Sequence, residues 1–560
     1  MTEAIKNQIQ GAIKEKIGIE VVASEKEDFG HYSTNVAFKL VPIFKKAPLE
    51  IAKELTQKLS GNKMFVKIEA VAPGFVNFWL APEFLQSELQ QILKQGKSFG
   101  EFNAKPSQKI NIEFVSANPT GPLTMANGRG GFYGDALCNV LKKAGHDVTR
   151  EYYINDAGNQ TKLLGESILA ELGIIARQEN HYKGDYIKKY AESILKKREA
   201  AKKYGFRIAV IGGITVDLDK NKILEVENFE TIGKIAQTNK FDPVKKFTED
   251  IKESLKTAGI KFDKWFSEEQ KLHKTGEVKK VLEFLKKKDL VKEREGALWL
   301  VPSKAEGLED VVLIKSDGNP TYFMVDLAYH LNKLSKRKFD LAIDIWGADH
   351  HGAVARLQNG IKLLGMEPRK LKIILMQLVR LISGGKEVKM SKRAGEFVTM
   401  DELLKEVGAD VARFFFLMHS PDTHMDFDLD LAKERSQKNP VYYTQYAYVR
   451  AINILRRANP KSEIRNPKLN LLAAESEIKL MLELLKWPDV LAECAQDYQV
   501  QRLTKYAMEL ARAWHNFYEK ERVVGVEDDL MQARLALVKA TKIIFEDLFG
   551  VLGVSKPKKM

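Results

Sequence analysis

The chain has 560 residues, and its 89 lysines and arginines exceed its 75 aspartates and glutamates, giving a net charge of +14. This length predicts roughly two to four domains, and the positive charge favours a polyanionic partner. The two cysteines, Cys138 and Cys494, exclude a disulfide framework and a four-cysteine zinc site. No apolar run approaches the roughly 18 residues of a membrane span, and the first residues lack the apolar core of a signal peptide. We therefore expect a cytoplasmic, multidomain enzyme or binding protein, with no membrane contact and no metal site built from its own side chains.

The first hundred residues predict a small α+β domain. Helical patterns flank two strand-like runs, Phe65–Ala70 and Gly74–Leu80. The glycine- and proline-bearing stretch Ser98–Ser107 predicts a linker to the next domain.

A strand, a glycine-bearing turn and a helix follow this linker. Ile110–Val115 is a β-like run, Ala117–Pro122 contains the turn, and helical spacing begins near Asn127. Open α/β sheets begin their nucleotide sites in this way, because the helix N-terminus offers free N–H groups to phosphate.

The α/β pattern resumes at Val311–Lys315 and predicts further strands at Phe339–Trp346 and Leu371–Val379. Strands that alternate with helices predict a parallel sheet. Residues 161–310 are lysine-rich and are interpreted as a connective insertion, within which Ile208–Val216 is either a buried strand or a core patch.

After about Asp430 the pattern is almost wholly helical. The predicted helices are Val441–Arg457, Leu472–Leu485, Leu491–Glu519 and Leu530–Leu548. The sequence has no repeat of fixed period, so a solenoid is excluded.

A lysine-bearing segment late in the α/β region suits ATP chemistry. Lys389-Met390-Ser391-Lys392 lies between glycines, and such a cationic loop fits a pyrophosphate leaving group, where negative charge accumulates in the transition state. The alternative interpretation is a solvated lysine run, which is common in a chain so rich in lysine.

A second phosphate-binding candidate lies at the first strand-to-helix turn. Gly128, Gly130 and Gly131 allow a close approach of the backbone, while Asn127 and Arg129 add side-chain donors. The alternative is that these glycines serve tight packing of the helix on the sheet.

Taken together and in this order, the two segments resemble those of class I aminoacyl-tRNA synthetases. Further stretches are similar to the arginyl-tRNA synthetase family: EFVSANPTGPL, GRGGFYGDALCNVLKKAGHDVTREYYINDAGNQ, SDGNPTYFMVDLAYH, WGADHHGAVARL, KMSKRAGEFVTMDELL, DFGHYSTNVAFKL, APGFVNFWL and NPVYYTQYAYVR. The similarity extends over nearly the whole chain and is weakest at about residues 195–240.

The resemblance implies an α/β protein of three domains. An N-terminal α+β domain over residues 1–105 would contact the elbow of tRNA. A Rossmann-like catalytic domain with a parallel sheet would cover residues 106–430, including the insertion at 161–310. An all-α anticodon-binding domain would cover residues 431–560, and we expect the protein to be a monomer.

The implied activity is that of an ATP-dependent, AMP-forming arginine–tRNA ligase. The carboxylate of L-arginine attacks the α-phosphate of ATP to give arginyl-adenylate and pyrophosphate, and the arginyl group then passes to the terminal ribose of tRNA(Arg). Because the carboxylate is already ionised, the first step needs positioning and charge stabilisation rather than a side-chain base. The resemblance implies ATP and Mg²⁺ as cofactors, L-arginine and tRNA(Arg) as partners, and adenylate formation that requires bound tRNA.

The resemblance also implies the residues that act on ATP. Catalytic roles fall on Lys389, Lys392, Asn127 and Thr124. The implied ATP-binding residues are Asn127, Gly128, Arg129, Gly130, Gly347, Asp349, His350, Met390, Ser391 and Lys392. The pair His350-His351 lacks the cysteine partners of a zinc site, so a ribose or structural role is preferred to a metal role.

The first signature departs from the family pattern His-x-Gly-His, whose imidazoles bond to ATP phosphates. The four positions are Thr124-Met125-Ala126-Asn127, so Asn127 keeps an amide donor and Thr124 offers only a hydroxyl. Losing a donor that is aimed at transition-state charge costs roughly 10²–10³ in rate. Either neighbours such as Arg129 compensate, or the enzyme is slow, or activation has been lost; the intact lysine-bearing segment favours compensation.

An arginine pocket needs planar carboxylates for forked hydrogen bonds and an aromatic face. Glu113 ends the first strand, and Tyr322 and Asp326 share a helix face at positions i and i+4. The resemblance implies arginine contacts at Glu113, Asn118, Tyr322 and Asp326, with Gln377 as a further candidate. Each of them alone could be an ordinary surface carboxylate or a packed tyrosine.

The residues implied to bind tRNA are Phe75, Asn77, Trp79, Tyr442, Tyr446 and Arg450. The N-terminal residues would stack on a flipped base and bond to its edge. The alternative for Phe75 is a place in the core, and the alternative for an arginine of so basic a chain is simple solvation.

The main alternative function is a synthetase-like protein that binds tRNA or arginine without activating it, and the altered first signature supports it. A synthetase for another amino acid is disfavoured. A cysteinyl enzyme would need zinc-ligating cysteines, and valyl, isoleucyl and leucyl enzymes carry large editing insertions for which this chain has no room.

Overall fold

The computed structural model describes residues 1–24, 26–102, 104–201, 208–211, 214–218, 220, 222–223, 240–302, 309–388, 398–458 and 467–560. It divides into two compact units. The first comprises Met1–Asn103, Lys143–Gly145 and Arg435–Met560, and the second comprises Ala104–Lys142 and His146–Glu434. Within the described ranges, no helix is both long enough and apolar enough to cross a bilayer.

The N-terminal part of the first unit is an α+β fold, as the sequence predicts. Its elements are α1 (Thr2–Ile13), β1 (Val21–Ala23), β2 (Tyr32–Thr34), α2 (Val36–Phe44), α3 (Pro48–Leu59), β3 (Phe65–Val71), β4 (Phe75–Leu80) and α4 (Pro82–Gln95). The strands form an antiparallel sheet in the order β1-β2-β4-β3. Val76, Phe78 and Leu80 are buried. Because side chains alternate along a strand, the residues between them share the other face of β4.

The second unit is built around a parallel sheet. Its elements are β5 (Lys109–Glu113), α5 (Met125–Lys143), β6 (Asp147–Ile154), α6 (Asn159–Glu171), α7 (Asp185–Ala201), β7 (Ile208–Ile211), β8 (Ile214–Asp217), β9 (Lys222–Ile223), β10 (Lys240–Phe241), α8 (Pro243–Thr257), β11 (Lys264–Ser267), α9 (Glu277–Lys287), β12 (Val291–Arg294), β13 (Ala297–Leu300), β14 (Val311–Ile314), α10 (Tyr322–Leu331), β15 (Leu341–Gly347), α11 (His351–Leu363), β16 (Leu371–Met376), β17 (Val379–Ser383), β18 (Lys386–Glu387), α12 (Met400–Val407), α13 (Ala409–Leu417), β19 (Met425–Asp428) and α14 (Leu429–Lys433).

The parallel sheet has the strand order β11-β6-β5-β15-β16. The first strand in the chain, β5, therefore lies between the second, β6, and the fourth, β15, and pairs in parallel with both. The order of connection reverses between β5 and β15, and in open α/β sheets the ligand crevice lies at such a reversal, outside the carboxyl ends of the strands. The predicted Rossmann-like fold is confirmed.

Three strands differ from the sequence-based expectation. β14 pairs with β13 in an antiparallel sheet of order β12-β13-β14, not in the parallel sheet. The predicted strand Leu371–Val379 is two strands, because the carbonyls at Gln377 and Leu378 accept hydrogen bonds from the Arg129 side chain instead of a neighbouring strand. β11 lies within the predicted insertion but belongs to the parallel sheet; its four residues are too few for a periodic signal.

The insertion has a core of its own. Buried side chains of α6, α7, the β7–β8 pair and α8 pack together, among them Ile168, Ile194, Ile211, Val216 and Phe247. β7 and β8 are antiparallel, with Ile211 opposite Ile214. Within the apolar run at 208–216, the described residues thus belong to two short strands, Ile208–Ile211 and Ile214–Asp217.

The C-terminal part of the first unit is all-α, as predicted. Its helices are α15 (Pro440–Arg457), α16 (Glu475–Leu485), α17 (Trp487–Asp497), α18 (Gln501–Lys520) and α19 (Asp528–Leu552). The prediction of a single helix over Leu491–Glu519 is wrong. Tyr498 has a φ of 65° and its N–H bonds to the carbonyl of Cys494, which is a left-handed cap that ends α17.

Candidate active site

Glu113 lies at the crevice between β5 and β15. It is the last residue of β5 and stands opposite Asp344 of β15 in the parallel register. Its side chain is buried, and its Oε2 accepts a hydrogen bond from the Lys333 ammonium at 2.6 Å. The same ammonium donates to Asp344 Oδ1 at 2.7 Å. A buried lysine therefore joins two carboxylates at the carboxyl edge of the sheet.

The backbone that follows Glu113 is strained. Val115 and Ser116 have φ values of 67° and 36°, and a left-handed conformation of a β-branched residue costs about 1–3 kcal/mol. The second strand restrains this turn: the Tyr153 N–H donates to Ser116 Oγ at 3.0 Å, and the Tyr152 hydroxyl donates to the Ala117 carbonyl at 2.8 Å. These hydrogen bonds hold the strained turn that places the crevice residues.

Two glycines of α5 allow the helix to press against this turn. A Cβ at Gly134 would lie 2.3 Å from Phe114 Cγ, and one at Gly131 would lie 2.8 Å from Ile260 Cδ1. By contrast, a Cβ at Gly128 or Gly130 would meet its neighbours at 3.6 Å and 3.9 Å, an ordinary contact. Close packing, the alternative considered for the glycines, therefore applies to Gly131 but not to Gly128 or Gly130.

Asp326 lies on α10 near the same cluster. One turn later His330 places Nδ1 2.8 Å from the Asp326 carbonyl oxygen and Nε2 2.7 Å from Asp344 Oδ2. Burial raises the pKa of the Asp326 carboxyl to about 7, with His330 opposing this shift and the charge of Glu113 adding to it. His330 therefore connects the backbone at Asp326 to Asp344, which stands opposite Glu113 in the sheet.

The buried carboxylates carry their charge unequally. Burial would raise the pKa of Asp344, but Lys333 and His330 together lower it to about 2. Burial raises the pKa of Glu113 even though Lys333 opposes the shift. In the free site Asp344 is therefore ionised. A further cation would stabilise the ionised forms of Glu113 and Asp326.

Two other predicted arginine contacts, Asn118 and Tyr322, lie on the turn after β5 and at the start of α10. Asn118 Nδ2 donates to Gln160 Oε1 at 2.7 Å, and the Tyr182 hydroxyl lies 3.3 Å from the same oxygen. Tyr322, the first residue of α10, is 63% exposed. Burial raises the pKa of Tyr182, and Tyr322 adds to the shift.

Arg129 differs from its predicted role as an ATP ligand. Its side chain is buried, and it donates to the carbonyls of Gln377, Ser420 and Thr423, each at 2.8 Å. Burial lowers the pKa of its guanidinium to about 10. The guanidinium therefore anchors backbone segments. Gln377 is partly buried, and its N–H donates to the Pro421 carbonyl at 2.8 Å.

The first signature forms a compact cap at the start of α5. Asn127 Oδ1 accepts from the Thr124 N–H at 2.9 Å and from the Thr124 hydroxyl at 2.8 Å. The N–H groups of Asn127 and Gly128 bond to the Thr124 carbonyl, and that of Met125 bonds to the Val398 carbonyl. Gly130 lies inside the helix, where N–H groups serve the helix itself. The backbone groups predicted to cradle phosphate are thus used within the protein, whereas the Asn127 amide nitrogen is directed away from Thr124.

The lysine-bearing segment, with Lys389, Met390, Ser391 and Lys392, lies outside the described residues. The description resumes at residue 398: Thr399 pairs with Thr124 in an antiparallel bridge, and the Met400 N–H donates to the Leu123 carbonyl at 2.8 Å. The chain that leaves this segment therefore returns to the first signature.

Gly347, Asp349 and His350 lie at the carboxyl end of β15, where they are exposed. Asp349 Oδ1 and His350 Nε2 are 3.8 Å apart, with 80% and 62% of their side-chain surfaces exposed. These side chains are accessible at the crevice beside β5. Among the residues that the structure describes, no three histidines, cysteines, aspartates or glutamates come together as ligands of a metal ion.

Sequence reasoning missed several residues of the crevice. Glu268, after β11, is buried, accepts from the Tyr153 hydroxyl at 2.8 Å and contributes to the raised pKa of Asp326. It carried no local signal. His330 and Lys333 did have one, because they continue the polar spacing of Tyr322 and Asp326 along an otherwise apolar helix.

The predicted elbow contacts differ in accessibility. Phe75 is 40% exposed and Trp79 is partly exposed, with Lys67 Nζ 4.3 Å from the Trp79 ring centre. Asn77 is buried, and its Oδ1 accepts from Ser33 Oγ at 2.8 Å. Phe75 is therefore not a core residue, whereas the Asn77 amide is engaged inside the domain.

The predicted anticodon contacts lie in an aromatic cluster on α15 and α18. The Tyr442 and Tyr446 rings stack at 5.9 Å, and the Arg450 guanidinium lies 4.3 Å from the Tyr446 ring centre and 4.4 Å from that of Tyr518. Arg450 also bonds to the Tyr446 hydroxyl at 3.0 Å. Its side chain is thus held against rings rather than extended toward phosphate. Tyr518 was not predicted.

Three family descriptions match successive parts of the chain. Residues 1–80 match "Arginyl tRNA synthetase N terminal domain", residues 88–416 match "tRNA synthetases class I (R), catalytic domain", and residues 444–560 match "DALR anticodon binding domain".

Similar proteins support the same relationship. The arginine–tRNA ligase of Carboxydothermus hydrogenoformans is 41% identical over 556 residues, covering 98% of this chain and 95% of the relative. That of Acetivibrio thermocellus is 37% identical and covers 100% of both chains. A putative arginyl-tRNA synthetase structure from Campylobacter jejuni has a TM-score of 0.71 at 31% identity, covering 86% of this chain and 100% of its own. The Thermus thermophilus arginyl-tRNA synthetase, at 21% identity and full coverage of both chains, shares the fold with a TM-score of 0.76.

Proposed function

Since this chain belongs to the class I arginyl-tRNA synthetase family, we propose that it is an arginine–tRNA ligase, which activates L-arginine with ATP and transfers it to tRNA(Arg). The observation that carries the proposal is the acidic crevice at the reversal of the parallel sheet, where Glu113 stands opposite Asp344 and His330 links Asp344 to the backbone at Asp326. The alternative of a protein that binds without activating is not favoured, because relatives about 40% identical over nearly the full chain are arginine–tRNA ligases.

In this proposal the guanidinium of arginine binds between Glu113 and Asp326. Glu113 Oε2 is occupied by Lys333, so Oε1 is the oxygen that meets the substrate. A planar guanidinium can donate to two carboxylates at once, and its charge relieves the repulsion between them. Asn118, Tyr322 and Gln377 complete the pocket, with the Asn118 amide oriented by Gln160.

ATP binds across the start of α5 and the end of β15. The Asn127 amide nitrogen is fixed as a donor because its oxygen is held twice by Thr124. Gly128 and Gly130 are proposed to contact the nucleotide near the start of α5, while Gly347, Asp349 and His350 border the ribose. This arrangement supports compensation for the altered first signature, with Arg129 contributing as an anchor rather than as a ligand.

The chemistry is an attack of the arginine carboxylate on the α-phosphate of Mg²⁺-bound ATP. Lys389 and Lys392, with Met390 and Ser391 between them, are proposed to neutralise the charge that develops on the departing pyrophosphate. The bridge between Thr124 and Thr399 supports a position of that segment near the first signature. The acyl group then passes to the terminal ribose of tRNA, a reaction that needs no covalent enzyme intermediate.

We further propose three functional domains and a cytoplasmic monomer. Residues 1–105 bind the tRNA elbow through Phe75 and Trp79. Asn77 contributes when its side chain exchanges the hydrogen bond with Ser33 for one with a base. Residues 106–430 carry out catalysis, with the insertion at 161–310. Residues 431–560 bind the anticodon arm through Tyr442 and Tyr446, which Arg450 holds in place by stacking.

Charging assays test the proposal. Purified protein with ATP, Mg²⁺ and tRNA should attach labelled arginine and not lysine. Lys392→Ala should reduce the rate by roughly 10²-fold or more, since charge stabilisation dominates the first step. Lys292→Ala, a change of an exposed lysine on β12, serves as the matched control and should leave the rate unchanged. Binding of tRNA without charging, or charging with lysine, would contradict the proposal.

A further inference from the structure

Lys333 is fully buried, yet it has no role in the proposed reaction. Its ammonium donates to Glu113 Oε2 at 2.6 Å and to Asp344 Oδ1 at 2.7 Å, and it lies 4.1 Å from the centre of the Tyr329 ring. Burying an unpaired lysine is very costly, so buried lysines are rare unless they are paired. The ammonium is therefore fixed from three sides, and one of those sides is the carboxylate proposed to bind the substrate.

The two carboxylates that share Lys333 differ in their other partners. Asp344 also has His330 Nε2 2.7 Å from Oδ2, so both of its oxygens are engaged. Glu113 has no other hydrogen bond within the described part of the chain, and its Oε1 remains for a ligand. Asp344 thus completes the internal network, whereas Glu113 faces both the network and the crevice.

We propose that Lys333 is a positioning residue for arginine recognition. By engaging Oε2, it holds the Glu113 carboxylate in the rotation that presents Oε1 to the substrate guanidinium. Asp344 acts one step further away, as the anchor of Lys333. This inference rests on the proposed function, because the ligand of Oε1 is taken to be arginine.

The geometry also explains why a buried cation can stand so close to a cationic substrate. Glu113 and Asp344 together carry two negative charges, and Lys333 neutralises one of them. The remaining negative charge of the Glu113–Asp344 pair, together with Asp326, is then available to pair with the guanidinium. Without Lys333, the Glu113 carboxylate would have no fixed orientation, and it would meet the substrate only in a fraction of its conformations.

The test compares KM for arginine among three variants in tRNA charging. Lys333→Met keeps the length of the side chain but removes its donor, and it leaves Asp344 with His330 alone. The double variant K333M/D344N removes the charge of Asp344 together with that of Lys333, so that Glu113 is the one carboxylate of the cluster left without its lysine partner. In both, KM for arginine should rise roughly ten- to a hundredfold, since a hydrogen bond to a charged group is weakened, while KM for ATP stays within about twofold.

Asp344→Asn alone separates positioning from a general structural role. Lys333 keeps Glu113 as its partner in this variant, so KM for arginine should change by less than about threefold even if thermal stability falls. Lys336→Met, on the same π-helical turn Asn332–Lys336 but with 59% of its side chain exposed, is the matched lysine control and should leave both KM values unchanged.

Two outcomes would overturn the inference. One is a double variant with the KM for arginine of the unmodified protein. The other is D344N with a KM raised as far as that of the double variant, which would show that the network acts only as a structural whole. If the unmodified protein fails to charge arginine, the proposed function itself fails, and this result is distinguishable from either outcome above.

Discussion

At the scale of single residues, the crevice concentrates negative charge that the free protein accommodates poorly. Burial raises the pKa of Asp326 to about 7, and the nearby charge of Glu113 adds to this effect. A carboxyl with a raised pKa is neutral below that value and ionised above it. Because a guanidinium pairs with the ionised form, arginine binding must remove a proton from Asp326 when the pH is below about 7.

This linkage predicts the pH dependence of arginine use. As the pH falls from about 8 to about 6, kcat/KM for arginine should decrease, approaching tenfold per unit below the pKa of Asp326. KM for ATP, which Asp326 does not contact in the proposal, should change little. Initial charging rates, with arginine varied at saturating ATP and then ATP varied at saturating arginine, measure both quantities, and a kcat/KM for arginine that stays flat down to pH 6 would refute the linkage.

Single residues also show where sequence reasoning succeeds. The strand end at Glu113 and the helical spacing of Tyr322 and Asp326 can be read from the sequence, and the family resemblance assigned these residues to arginine, a role that stays a prediction. Asp344 had no sequence signal, and the polar spacing that marks Lys333 does not show that it meets both Asp344 and Glu113 in the fold. Glu268 had no signal in the sequence, because no other site residue lies at helical or strand spacing from it.

At the scale of elements, the packing of α5 on the turn after β5 controls the crevice. The turn carries Glu113 at one end and Asn118 at the other, and α5 reaches it only because position 134 lacks a side chain. A side chain added at Gly134 should therefore displace the turn and disturb the arginine pocket, although it would not contact the substrate itself.

Gly134→Ala is expected to destabilise the protein and to raise KM for arginine. Its Cβ would lie 2.3 Å from Phe114 Cγ, and overpacking of this kind costs typically about 1–3 kcal/mol. Gly11→Ala is the matched control, since it also lies in a helix, α1, but its Cβ would meet nothing within 4 Å. The control should be neutral or stabilising by up to about 1 kcal/mol. Thermal unfolding and arginine titration measure both variants; equal behaviour would show that the turn tolerates displacement.

The elements also show where a pattern fails. The continuous apolar residues at 371–379 predict one strand. In the structure, however, the carbonyls of Gln377 and Leu378 accept hydrogen bonds from the Arg129 side chain, and the strand is interrupted there. Similarly, the helical periodicity at 491–519 continues across Tyr498, whose left-handed backbone ends α17. Apolar periodicity in a sequence reflects which side chains are buried. It therefore does not distinguish a buried residue in a bend from a buried residue in a helix or strand.

At the scale of the whole molecule, the sequence predicts the fold class and the order of the three parts. It does not predict that the N-terminal and helical parts form one compact unit. Contacts such as Thr2 Oγ1 to Asp489 Oδ1, at 2.8 Å, and Gln86 Nε2 to the Leu472 carbonyl, at 3.2 Å, join residues hundreds of positions apart. Local composition and spacing contain no signal for such pairs.

The most direct measurement is a structure of the protein with arginine and a non-hydrolysable ATP analogue bound. The guanidinium should donate to Glu113 Oε1 and to Asp326, with Lys333 still on Glu113 Oε2. The triphosphate should lie between Asn127 and the lysines at 389 and 392. A guanidinium bound outside the crevice between β5 and β15, or a triphosphate bound away from the first signature, would contradict this description of the site.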